Sequence, residues 1–70
     1  MKWAKDVYSS NVQSVAYDED ANAMVVTWLK GKRSAYIGVP EDLAWEAANA
    51  PSVGTFLNSR IKGQYEMRYV

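Results

Sequence analysis

The sequence predicts an α+β domain: a three-stranded antiparallel β-meander followed by two short helices and a C-terminal extended tail. Three observations carry that prediction. Apolar, β-branched and aromatic residues concentrate in three short runs before residue 40. Turn-forming clusters, Asp18-Glu19-Asp20-Ala21-Asn22 and Lys30-Gly31-Lys32-Arg33, separate those runs, and the alanine-rich stretch that follows lies between Pro40 and Pro51.

In chain order, residues 1–8 form an N-terminal arm, and residues 9–70 form a single domain. Trp3 with Val7 and Ala4 with Tyr8 lie at i,i+4 spacing, which allows a helical turn too short to stand alone, so the arm is expected to be docked or loose. Val12 to Asp18 reads as the first strand. Ala23 to Leu29, through Met24-Val25-Val26-Thr27-Trp28, is the strongest strand signal, and because both its faces are apolar it should be central. Ser34 to Val39 gives the third. Pro40 suits the first position of a helix, with Glu41 and Asp42 behind it at the positive end of the helix dipole. That helix should run to about Ala50, lie close against the sheet through Leu43, Ala44, Ala47 and Ala48, and point Trp45 away. Ser52 reads as the N-cap of a second helix through about Ser59, and Ile61 to Val70 as a turn and tail carrying Tyr65 and Tyr69.

A chain of 70 residues has room for one domain, and one this short buries only about 60% of the surface its unfolded form exposes. With no Cys and no His, disulfide and Cys/His metal staples are both closed, which leaves self-association as the expected reinforcement. Trp28 and Trp45 are the candidate oligomer-interface residues. Eight basic residues balance eight acidic ones, which argues against a dedicated binder of long polyanions. The charges are unevenly placed, acids at 18–20, 41, 42 and 46, bases at 30, 32, 33, 60, 62 and 68, so one end should be acidic and another basic. No apolar run approaches the ~20 residues of a membrane span, the N-terminus has no signal-like core, and a cytoplasmic location is expected, host cytoplasm if the chain is phage-encoded.

Catalysis is poorly provisioned. Without His or Cys the usual general base and thiolate nucleophile are missing, and Glu41-Asp42 suits a helix start better than an acid–base pair, so a non-enzymatic binding module is expected, with neither cofactor nor metal. The acids at 18–20 lack the spacing of a calcium loop and read as a solvated turn. The densest candidate region is Pro51 to Tyr65. There a capped helix start and a glycine lie near Arg60 and Lys62, a phosphate-sized arrangement that equally suits a plain capped helix with exposed bases.

Several motifs in order resemble the KTSC domain family: Ser9-Ser10-Asn11-Val12, Val15-Ala16-Tyr17-Asp18, Tyr36-Ile37-Gly38-Val39-Pro40, Asn49-Ala50-Pro51-Ser52, Gly54, Asn58 and Ile61-Lys62-Gly63-Gln64-Tyr65. The resemblance covers about residues 9–69. It implies a stand-alone domain of bacteria or phages, also found at the C-terminus of some lysyl-tRNA synthetases, an association that suggests RNA binding. Ser34-Ala35-Tyr36 replaces the family's Tyr-x-Tyr, and Thr55, Ser59 and Gln64 occupy positions often basic in it. Those departures weaken the RNA reading here.

The function expected first is therefore a small homo-oligomer that binds and sequesters a phosphate-bearing nucleotide ligand, a phage-style sponge for cyclic-nucleotide defence signals. Arg33, Arg60 and Lys62 are assigned to phosphates, Tyr36 and Tyr65 to stacking, and Asn11 and Asn58 to base or ribose hydrogen bonds. RNA binding and a protein-interaction or inhibitor module are the alternatives.

Overall fold

The structure, a computed structural model, describes residues 1–70 and contains five strands where the sequence reading expects three. Strands β1 (Trp3–Asp6), β2 (Val12–Asp18), β3 (Ala23–Trp28) and β4 (Arg33–Ile37) precede helices α1 (Glu41–Ala48) and α2 (Val53–Phe56), and β5 (Glu66–Tyr69) follows a π-helical turn at Leu57–Ile61. All neighbouring strands are antiparallel, in the order β1-β2-β3-β4-β5. The anticipated meander is thus the middle of the sheet, with β3 central, and each end of the chain adds an edge strand.

The helical turn that the i,i+4 spacing allows in residues 1–8 is not formed, and the arm docks as a strand. In the extended form Trp3 and Lys5 face the helices while Ala4 and Asp6 face away, so Trp3 stacks on Tyr17 with centroids 6.2 Å apart and meets Trp45 edge-on at 5.0 Å. These tertiary partners outweigh the weak local preference of a four-residue segment. At the other end the extended tail pairs with β4 through Ser34↔Tyr69 and Tyr36↔Met67, after Gly63, at φ +82°, turns the chain back toward the sheet.

The turns follow their residues. Asp18 accepts backbone N–H bonds from Asp20 (3.1 Å) and Ala21 (3.4 Å), and Asn22 takes a left-handed conformation, so the acidic run closes the β2–β3 hairpin. α1 starts one residue later than anticipated, with Pro40 extended just outside it, and ends at Ala48 because the residue before Pro51 disfavours helical geometry. Ser52 caps α2 by accepting the Thr55 N–H, and the helix continues through a π turn to Ile61, past the anticipated Ser59, closed by Lys62 N–H donating to the Leu57 carbonyl at 2.8 Å.

The core lies on one face of the sheet, where Val12, Val15, Tyr17, Met24, Val26 and Tyr36 meet Ala44, Ala47, Ala48, Val53, Leu57 and Ile61. The alanines let α1 sit close over β2 and β3. The opposite face carries Ala16, Ala23, Val25, Ala35 and Ile37 with no helix over it. No helix is long and apolar enough to cross a membrane.

Candidate functional site

Because α1 packs over β2 and β3, the helical face of β4 and β5 is left as the floor of a cleft of about 490 Å³. The β3–β4 hairpin supplies Trp28, Leu29, Lys30, Lys32 and Ser34, β4 and β5 supply Tyr36, Met67 and Tyr69, and Ser10, Asn11 and Lys62 close the remaining side.

Local structure aims these groups. Trp28 N–H donates to the Lys32 carbonyl (2.8 Å) and Gly31 N–H to the Trp28 carbonyl (2.9 Å). With Gly31 at φ +95°, a conformation that glycine adopts without strain, this tight hairpin places Lys30 and Lys32 at the rim. The register shift between Val12 and Ser14 brings Asn11 alongside, its carbonyl accepting Leu29 N–H at 2.9 Å. The Trp28 indole N–H donates to the buried Ser34 hydroxyl at 2.9 Å, which fixes the ring. Lys62 Nζ lies 4.9 Å from the Trp28 ring centroid and Lys32 Nζ 5.8 Å from that of Tyr69. Three ammonium groups and two accessible aromatic rings therefore share one cleft, and no carboxylate lines it. Tyr36 forms its floor at 3% exposure, and burial, with a smaller contribution from the nearby Tyr69, pushes its phenol above the ordinary range.

Of the residues expected from sequence, the cleft gathers Asn11, Tyr36, Lys62 and Trp28. Tyr36 is too deeply set to offer a ring face for stacking. Arg33 pairs with Thr27, on the sheet face opposite the cleft. Arg60 lies outside it with its guanidinium 5.3 Å from the Phe56 ring, and Tyr65 packs half-buried against the core. Asn58 lines a smaller polar hollow of about 240 Å³ with Ser9, Ser52, Gly54 and Thr55. Trp45, half exposed, projects from α1 toward β1, against Trp3 and under Lys5 Nζ at 5.5 Å. The ligand residues chosen from sequence leave out Lys30 and Lys32 of the basic turn, and Tyr69 and Met67, which needed the tail to be a strand.

A second polar cluster ties the chain's start to α1. Glu41 accepts from Lys2 Nζ (2.8 Å) and from the Trp3 indole N–H (3.2 Å). The Lys2 hydrogen bond holds the Glu41 carboxyl below its ordinary range, and the same bond holds the Lys2 ammonium above its own. This is a clamp on β1, remote from the cleft.

Comparison with known proteins follows the fold closely. The family model of the KTSC domain matches residues 8–65. The crystal structure of a KTSC domain protein from Yersinia pestis superposes with a TM-score of 0.85 at 30% sequence identity, covering 97% of this chain and 96% of that one. No curated protein sequence matches the chain.

Proposed function

The chain belongs to the KTSC domain family, and from the chemistry of its cleft we propose that it binds and sequesters a small phosphate-bearing nucleotide, without transforming it. The observation that carries this reading is the convergence of Lys30, Lys32 and Lys62 on the rings of Trp28 and Tyr69 in a cleft lined by no carboxylate. Ammonium groups neutralise phosphate, aromatic faces stack on a base, and the Asn11 amide can both donate to and accept from a base edge. An anion at Lys62 competes with the Trp28 ring for the same ammonium, so binding uncovers the ring face on which a base then stacks. The volume falls within the usual range of about 300–1,000 Å³ for small-ligand sites. Hydroxyl, amide and ammonium groups with no adjacent base suit holding a phosphate better than cleaving it.

Thermal unfolding against linear and cyclic nucleotides and short single-stranded RNAs tests the proposal. A ligand at a hundred times its Kd adds about 2.7 kcal/mol, a rise of about 10 °C or more in a domain this small. Lys62→Ala and Lys32→Ala should each weaken binding about tenfold, the scale of a hydrogen bond to a charged group, whereas Arg60→Ala should leave affinity unchanged, and bound nucleotide should be recovered intact by mass spectrometry. A shift with RNA alone, abolished by salt, replaces this reading with backbone-tracking RNA binding. No shift with any member of the panel points instead to a protein partner.

A further inference from the structure

The C-terminal edge of the sheet is unprotected. β5 has no proline, no bulge and no covering element, and all four of its residues are exposed. Val70 N–H donates inward to the Arg33 carbonyl at 3.2 Å. By the alternation of an antiparallel ladder, Arg68 and Glu66 also direct their backbone groups toward β4, which leaves those of Met67 and Tyr69 aimed outward.

We propose that β5 pairs with β5 of a second copy of this chain, antiparallel about a two-fold axis through Met67. The register is selected by charge. Centred on Met67, the pairing sets Glu66 of each strand directly opposite Arg68 of the other on the face away from the helices, and Met67 opposite Met67 and Tyr69 opposite Tyr65 on the cleft face. Centring on Glu66 or on Arg68 opposes like charges instead. At the other edge, centring β1 on Lys5 or on Asp6 opposes like charges, and centring it on Ala4 sets Asp6 opposite Lys2, whose ammonium is already held by Glu41. Within one chain Glu66 and Arg68 already meet at 3.0 Å, both well exposed, so the exchange keeps each charge paired.

The resulting sheet is continuous, with the helices of both copies on one side. Each cleft reaches β5, so the two clefts meet at the axis in one trough, and each copy adds Tyr65 and Met67 to its neighbour's rim. This assigns association to the sheet edge, away from Trp28 and Trp45.

Sedimentation velocity of the ligand-free chain tests the assembly independently of what the cleft binds. The wild type should sediment as a dimer. Glu66→Arg and Arg68→Glu should each weaken dimerisation at least tenfold, and the double exchange Glu66→Arg/Arg68→Glu should restore it. Met67→Pro, which removes an outward N–H and no bond to β4, should be monomeric with native circular dichroism. A monomeric wild type at 100 µM, or a dimer indifferent to the single exchanges, overturns the proposal.

Discussion

The phenol of Tyr17 reaches from the sheet to the segment leading into α1 and donates to the Val39 carbonyl at 2.9 Å, with its ring 4% exposed. Removing one partner of a buried hydrogen bond costs about 1–3 kcal/mol, so Tyr17→Phe should lower stability by about 1–2 kcal/mol, measured as a shift in urea midpoint without a change in slope. Burial raises the phenols of both Tyr17 and Tyr36. Their neutral forms are favoured in the folded state, so this contribution is whole below the ordinary phenol pKa of about 10 and is lost as pH rises through the higher folded values. At this scale the sequence was partly readable. Asn11 and Lys62, chosen on residue type, both line the cleft, but type alone does not reveal register. Arg33 and Ser34 are adjacent in sequence and face opposite sides of the sheet, which is why the arginine was assigned to the ligand and the neighbouring Lys32 was not.

Elements in the centre of the chain were legible because their signals are local: β2 and β3 have apolar or β-branched runs, α1 has proline at both ends, and α2 has Ser52. The two edge strands were not. Each is four residues long, owes its conformation to a neighbouring strand, and shows an alternation that a single i,i+4 pair can mimic. For β1 that dependence makes a pH prediction. Glu41 is held below its ordinary range, so its contribution is complete above the unfolded value and is lost as pH falls through the lower folded one. The protection factors of the β1 amides, exchange rates corrected for the slower intrinsic exchange in acid, should fall selectively under acid conditions, and Glu41→Gln should lower them already at neutral pH. Uniform protection of β1 and β2 across that acid range would show that the clamp does not hold the strand.

The whole molecule is polarised along its strands. The Asp18-Glu19-Asp20 turn closes one end of β3, and Gly38 N–H donating to the Asn22 carbonyl at 2.7 Å brings the Glu41-Asp42 helix start toward that same end. Lys30 and Lys32 occupy the turn at the opposite end, beside Lys62. Zero net charge thus conceals an acidic pole and a basic one, and the cleft lies at the basic pole. Association of an anionic ligand should therefore slow as ionic strength rises and the field is screened, with a much smaller change in dissociation rate. Stability at this scale rests on one shared core. Leu57→Ala, which empties a fully buried position, should cost about 2–5 kcal/mol, a large part of the about 4–10 kcal/mol expected for this length. The denaturant midpoint should fall by about half.

The most direct test of the cleft assignment is the indole N–H region of a proton–nitrogen correlation spectrum recorded while the nucleotide that raises the melting temperature is titrated in. The chain has three tryptophans, one in the cleft and two packed against each other where β1 meets α1. The Trp28 signal should move progressively and saturate, together with the amides of Lys30, Lys32 and Tyr69, while the Trp3 and Trp45 signals stay fixed. Movement of Trp3 and Trp45 with Trp28 unchanged would place the ligand elsewhere and contradict the cleft as its site.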